Sequence, residues 1–550
     1  MKTINHLLAV SCTRHAERPA MGVAFETPIS YAEMEATVRR LAGALLAAGV
    51  RKGERVAILA ENSPQWGMAY LATVRIGGVT VPILPDFPES DVRHIIATSR
   101  PRVLFTSSRQ FEKIVELDRD LPKHVVLLDD TTIRNAPIPV GSLEDFVADV
   151  PDPGDKLASL AGSVKPDDMA SLIFTSGTSG HSKAVMLSHA NLVSNVEAAL
   201  QAVSVEPGMV FLSLLPLSHA YEFTCGFLSP LACGGRIVYA GARPTPTILQ
   251  KICRHERPQA ICVVPMILEK IYKKRLQPEL RRNHLLRIGL RIPGLRRRIY
   301  QSIGRRLVEF FGGKLQVMAI GGAPLNREVE DFLRRVEFPF LVGYGLTETA
   351  PLVAAGPFGD TTIAPGSCGK PVPGVKVKIV NPDRQTGAGE IFVKGPNVML
   401  GYYENRQLTQ ETIDEDGWLA TGDLGYFDAA GNLFVVGRSK SVIVLSHGEN
   451  IYPEAIEDRL LAHPLVAECL VVGRKDRLEA LIYPDYDYVD QETSGKSETE
   501  RQGFVTGELE ALRRAVNAEL PLYSQIARIV ERPEPFIKTA TQKIKRFLYV

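Results

Sequence analysis

The stretch that most constrains this chain is SLIFTSGTSGHSKAVMLSH, residues 171–189. Ser171 to Phe174 is an apolar run of the kind that forms a buried strand. It leads into Thr175, Ser176, Gly177, Thr178, Ser179 and Gly180, and Lys183 follows. Glycines allow a tight turn and a close approach of backbone to a ligand. Hydroxyls and free N–H groups in such a loop are donors suited to phosphate oxygens, and the lysine adds a mobile positive charge. A helical pattern begins at Ser188. The loop is not a Walker A motif, which needs G-x-x-x-x-G-K-[ST]; here His181 and Ser182 follow Gly180. Taken alone, the stretch would also suit a flexible Ser/Gly turn.

A strand and loop of this kind belong to a layered α/β protein, and the rest of the chain fits one. At 550 residues it exceeds a single ordinary core and should split into at least two domains. The formal net charge of +2 creates no global field to recruit nucleic acid. The seven cysteines are scattered and none forms a C-x-x-C pair, which favours reduced thiols in a cytosol and offers no zinc signature. The N-terminus lacks a signal-peptide pattern, and no apolar run approaches the ~20 residues of a membrane span.

In the first 130 residues helices and strands alternate. Ser30 and Glu33 fit a capping box, Met34, Val38, Leu41 and Leu45 share one helical face, and Gly49 stands where a glycine ends a helix. Ser63-Pro64 opens the next helix. Strands are expected at 54–59, 79–84, 102–107 and 124–130, giving a parallel or mixed sheet covered by helices. Residues 131–168 read as a Pro/Asp-rich loop, and 482–503 as a polar, mobile surface loop.

Further motifs follow. His219 lies just past an apolar strand, with Phe223 four residues on. Residues 273–306 hold twelve Lys/Arg against one acid, interleaved with Leu285, Leu286, Ile288, Leu290, Ile292 and Leu295. Three readings of that segment stay open: a solvated helical face, an amphipathic surface for anionic lipid, or a basic patch for phosphates. Gly321-Gly322-Ala323 ends a strand with small residues. Tyr344, Gly345, Thr347 and Glu348 bring a flat ring, a hydroxyl and a carboxylate together; Thr421-Gly422-Asp423 is followed fifteen residues later by Arg438. Lys543 and Lys545 stand in a terminal lysine cluster.

These motifs, in this order, resemble the adenylate-forming (AMP-binding) superfamily. Val264-Pro265 with Glu269-Lys270-Ile271-Tyr272 resembles its AMP-forming long-chain fatty acyl-CoA synthetases. The usual Pro-Lys-Gly ending of the phosphate loop is replaced by Ser182-Lys183-Ala184, and the usual glycine before the terminal lysine by Gln542. The resemblance implies an α/β fold with a large N-terminal domain (1–437) of helix-covered parallel and mixed sheets, including a β-rich subdomain at about 366–437. A hinge at 438–440 would join it to a small mobile α+β domain (441–550).

The implied reaction activates a carboxylic acid, a medium- to long-chain fatty acid, with ATP and Mg²⁺ to an acyl-adenylate and passes the acyl group to coenzyme A. An acyl carrier protein as acceptor, or an aryl acid as substrate, are the alternatives. Carried over by position, Lys543, Glu348 and His219 are catalytic, with Lys545 competing for the lysine's role. Thr175, Ser176, Gly177, Thr178, Ser179, Gly180, Lys183, Gly321, Gly322, Ala323, Tyr344, Gly345, Thr347, Asp423 and Arg438 hold the nucleotide. Glu348 and Thr175 hold magnesium, Lys440 is the hinge, and Phe223 marks an aromatic gate. A cytoplasmic enzyme is the expected setting, peripheral at the inner membrane surface only under the lipid reading of 273–306.

Overall fold

A computed structural model describes residues 2–550 except 116, 118–120, 130, 132, 134–135, 137, 149, 152–153, 176–182, 242–243, 283, 385, 446–449 and 540–542. It describes no side chains for 274–275, 281–282, 285 and 287. The loop residues Ser176, Gly177, Thr178, Ser179 and Gly180, together with Gln542, therefore lie outside the described residues.

The fold is α/β. Its hub is the helix Pro64–Arg75, which starts at the Ser63 cap with proline in its first turn. Nearly every residue of this helix is buried, as expected of one that is apolar all round. Trp66 and Tyr70 on it are fully buried, in a core that takes Met21, Ile237 and Tyr239 from one sheet and Val56, Ile58, Val103 and Ile173 from another. Two sheets thus share one helical layer, and the helix Tyr31–Ala47, opened by the Ser30/Glu33 capping box, completes that layer.

Among the described residues the first sheet has nine strands. Six of them run parallel: Phe340–Gly345, Val317–Ile320, Ala260–Val263, Val210–Ser213, Arg236–Tyr239 and Pro19–Val23. The second sheet has eight strands, with Met169–Thr175, Val79–Pro82, Arg55–Leu59, Val103–Thr106 and His124–Leu127 parallel to one another. A four-stranded antiparallel sheet follows, from Lys376–Val380, Gly389–Lys394, Leu419–Phe427 and Leu433–Arg438. Beyond a single 3₁₀ turn, Ser439–Ser441, a three-stranded sheet of Val466–Arg474, Arg477–Pro484 and Ile526–Glu531 carries its own apolar core.

One helix start lies where the sequence places it, and two expected loops are corrected. The strand Lys183–Ser188 pairs antiparallel with Met169–Thr175, and Ser188 then caps the helix His189–Ala202. Residue 184 lies in that strand opposite Phe174, where alanine suits the ladder. The segment 131–168 contains the helices Leu143–Ala148 and Gly154–Ser163, the second anchored by buried Leu157. The supposed loop 482–503 is the end of a strand followed by the helix Tyr486–Glu492 and the start of Glu498–Asn517, which opens on a Ser497/Glu500 capping box. Val489 packs into the small domain's core there, so one buried valine outweighs a polar composition.

Candidate active site

In parallel sheets the strand carboxyl ends, with the loops that leave them, form the natural crevice for ligands. Here Val210–Ser213, Val317–Ile320 and Phe340–Gly345 open at that end into a cleft of about 2660 Å³. Of the residues singled out in the sequence, the structure brings Thr175, Lys183, His219, Gly321, Gly322, Ala323, Tyr344, Gly345, Thr347, Glu348, Asp423, Arg438, Lys440 and Lys543 to its walls. Segments more than 360 residues apart meet there because the small domain closes over the strand ends.

Strand register explains the Asp423–Arg438 spacing. Leu419–Phe427 and Leu433–Arg438 are antiparallel neighbours, and Asp423 stands directly opposite Arg438. Arg438 Nε donates to Asp423 Oδ1 at 2.8 Å, and Tyr344 Oη donates to Oδ2 at 2.7 Å. Asp423 is 5% exposed, so both bonds lie in a low-dielectric wall and hold the carboxylate in one orientation. Each oxygen keeps a further lone pair for a ligand hydroxyl. Burial, reinforced by the Asp423 charge, pushes the Tyr344 phenol well above its ordinary range, so it remains a neutral donor.

Glu348 sits on the short turn Thr347–Thr349 after the strand Phe340–Gly345. Tyr402 Oη donates to Glu348 Oε1 at 2.9 Å, and the Lys183 ammonium lies 5.2 Å from the centre of the Tyr402 ring. Tyr402 is held by pairing of Gly401–Tyr402 with the strand Lys183–Ser188. It thus ties the loop lysine to the acidic turn, a role the sequence reading missed. The Gly-Tyr-Tyr run at 401–403 was visible, but nothing local says that one tyrosine faces a carboxylate.

His219 follows the turn after Val210–Ser213. Its Nδ1 accepts the Tyr221 N–H at 3.3 Å, so in the neutral ring Nε2 carries the proton and can donate to a ligand. Burial, and then the charge of Lys543, pushes its pKa down to about 4. Lys543 reaches in from the small domain; the Thr539 N–H donates to its carbonyl at 2.8 Å, and Lys538 and Ile544 form an antiparallel bridge. Water reaches its side chain inside the cleft, but protein surrounds the group. That enclosure, and then Arg438, lowers its pKa below the ordinary 10.5, while Asp423 and Glu348 pull the other way. Lys545 also borders the cleft.

Phe223 is not a gate. It is 2% exposed and packs against Trp66, Tyr70 and Phe227 in the shared core. The π-helical turn Glu222–Leu228 points it away from the cleft, whereas Tyr221 and Cys225 line the cleft. Past them the cleft continues between the helix His189–Ala202 and the sheet, walled by Ala199, Val203, Phe211, Ala260, Val317 and Leu341. This branch is apolar. Among the described residues no group of three or more His, Cys, Asp or Glu could hold a metal ion.

A cleft at strand ends, an Asp423–Arg438 salt bridge in its wall, and a lysine delivered by a second domain fit a nucleotide-handling enzyme of the adenylate-forming type. Residues 8–403 match the AMP-binding enzyme family and residues 440–548 the AMP-binding enzyme C-terminal domain, and the chain belongs to this family of ATP-dependent, AMP-forming acid–CoA ligases. It is 32% identical over 482 residues to the long-chain-fatty-acid–CoA ligase FadD15 of Mycobacterium bovis, covering 84% of this chain and 78% of that one. It is 32% identical over 500 residues to the 4-coumarate–CoA ligase-like 2 of Arabidopsis thaliana, covering 88% of this chain and 81% of that one. In fold it is similar to the anthranilate CoA ligase AuaEII, solved in complex with anthranoyl-AMP, with a TM-score of 0.78, 20% identity, and 99% and 96% of the two chains covered.

Proposed function

We propose that the protein activates a medium- to long-chain fatty acid with ATP and transfers the acyl group to coenzyme A. The observation that carries this reading is the apolar branch joined directly to the charged cleft. Ala199, Val203, Ala260 and Val317 offer no partner to a polar substituent but would bury an alkyl chain, at ~0.8 kcal/mol per CH₂.

A carboxylate is a poor electrophile because its charge is delocalised. Its attack on the α-phosphorus of ATP forms an acyl–phosphate bond and expels pyrophosphate. Both reactants are anions, so the cleft has to offset charge at the point of contact. Lys543 would do this between the carboxylate and the α-phosphate, and Lys183 at the outer phosphates, with the donors of 175–180 implied by the family. Asp423 would accept ribose hydroxyls, while Arg438 neutralises it and faces the phosphate. Tyr344 and Gly321–Ala323 would flank the base, and the Nε2–H of His219 would donate to the acid.

The single carboxylate of Glu348, with the Thr175 hydroxyl, fits Mg²⁺, which takes few protein ligands and completes its shell with phosphate oxygens and water. When bound, that ion would offset negative charge on the phosphates. In the second step a thiol attacks the acyl carbon and AMP leaves; this requires Lys543 to withdraw as the small domain turns about Lys440.

The test is AMP release from ATP and Mg²⁺ over acids from acetate to palmitate and one aryl acid, each with and without coenzyme A. Turnover that depends on coenzyme A and peaks at long chains is expected. A peak at the aryl acid overturns the chain-length reading. An adenylate that only a carrier protein discharges overturns the acceptor.

We further propose that the helices His284–Arg291 and Pro293–Phe310 meet anionic lipid. Ile288, Ile292 and Leu295 are 59%, 51% and 43% exposed, with Arg291, Arg296, Arg297 and Arg298 exposed around them. Apolar side chains ringed by arginines suit an interface of acyl chains and acidic headgroups.

A further inference from the structure

Lys273 belongs by sequence to the basic segment, yet it leaves that surface. It stands one helical turn after Glu269, half-buried, and its ammonium donates to the carbonyl of Leu461 in the small domain. Asn326 does the same nearby. Its Nδ2 donates to the Asp458 carbonyl at 3.0 Å. Both acceptors lie in the last turn of the helix Pro453–Leu461, where carbonyls lack intrahelical partners and the helix end carries partial negative charge.

Asn326 is also the N-cap of the large-domain helix Arg327–Arg335, its Oδ1 accepting from the N–H groups of Glu328 and Val329 at 3.0 and 3.4 Å. Its backbone N–H donates to Glu269 Oε1 at 3.1 Å. One amide therefore closes the start of a helix in one domain with its oxygen and the end of a helix in the other with its nitrogen. Both donors belong to the large domain and both acceptors to the small one. The contacts exist in the same orientation that brings Lys543 beside Arg438, Asp423 and Glu348.

We propose that Lys273 and Asn326 form a latch specific to the orientation that forms the adenylate, acting as positioning residues for Lys543. This rests on the two-step reading above. A turn of the small domain about Lys440 would strip the half-buried ammonium of its acceptor and return two helix-end carbonyls to water. The latch therefore biases the equilibrium between orientations without touching substrate.

The test uses the full chain carrying Lys273→Met and Asn326→Asp together. Methionine keeps the packing of the stem, and aspartate keeps the N-cap of Arg327–Arg335 while removing the donor to Asp458. Acid-dependent ATP–pyrophosphate exchange is expected to fall about tenfold, while attack of coenzyme A on preformed acyl-adenylate stays within about twofold of the parent, because a latch shifts only the population of one orientation. Tryptic cutting at the 438–440 turn should be faster. Equal loss in both half-reactions, or cutting at the parent's rate, overturns the latch. A parent protein that exchanges no pyrophosphate with any acid overturns the ligase reading instead, and the cutting comparison then decides the latch by itself.

Discussion

Lys543 is the residue on which the proposed chemistry turns, and its environment makes it testable. Removing one preorganised cationic donor from a developing negative charge typically costs ~10²–10³ in rate. Lys543→Ala is therefore expected to lower pyrophosphate exchange by about that factor and to leave attack of the thiol on preformed adenylate much less affected; equal losses would remove the lysine from its proposed role. The pH dependence has a definite sign. The lysine must be protonated to act, and its pKa lies below 10.5 in the free protein. Its charge is complete below that lowered pKa and lost as pH rises through it. The kcat/KM for exchange should thus fall on the alkaline side at a pH below 10.5, and Lys543→Arg should abolish that limb within the range of stability. His219, held neutral by burial with a pKa near about 4, should add no inflection around its ordinary 6.5. A profile measured against both variants checks the two statements together.

At the scale of elements, the strand Phe340–Gly345 and the turn after it deliver Tyr344, Thr347 and Glu348, and two features hold them in place. A Cβ on Gly345 would lie 2.0 Å from the Pro351 carbonyl oxygen, a backbone atom that cannot rotate away. Gly345→Ala should therefore displace the turn, reducing exchange at least tenfold; this is read as loss of activity in a protein that still unfolds cooperatively. Asn195, buried on the helix His189–Ala202, donates from Nδ2 to the Thr349 carbonyl at 3.1 Å and accepts the Leu352 N–H. Asn195→Ala leaves both backbone groups unsatisfied and should cost ~1–3 kcal/mol of stability in denaturant unfolding. The helix after the phosphate stretch thus serves a turn more than 150 residues away.

The whole molecule carries almost no net charge, so any attraction to a surface has to be local. The hairpin of His284–Arg291 and Pro293–Phe310 concentrates exposed arginines around exposed Ile288, Ile292 and Leu295. Each basic residue close to an anionic membrane contributes about 1 kcal/mol, screened by salt. Co-sedimentation with vesicles containing phosphatidylglycerol is expected at low salt and should weaken as salt rises. Vesicles of phosphatidylcholine alone should bind weakly. Ile288→Ser with Leu295→Ser should lower binding without changing turnover of a short, water-soluble acid. Among the described residues no helix is long and apolar enough to cross a membrane.

The sequence by itself determined the class of the protein and the identity of the charged groups. Motif order and residue chemistry are local properties, and so were the Ser30/Glu33 capping box, the Ser63-Pro64 helix start and the alternation that makes an α/β chain. Segments whose structure depends on a distant partner were misread: 131–168 and 482–503 looked polar, but Leu157 and Val489 find cores that no local window contains. Phe223 shows the same limit, because a helical register decides whether an aromatic faces substrate or core. Tertiary structure alone decided that Asp423 meets both Arg438 and Tyr344, that Tyr402 joins Lys183 to Glu348, and that Lys273 leaves a basic surface to hold the other domain. Pairings of that kind depend on strand register and domain orientation, which are set by the packing of elements far apart in the chain.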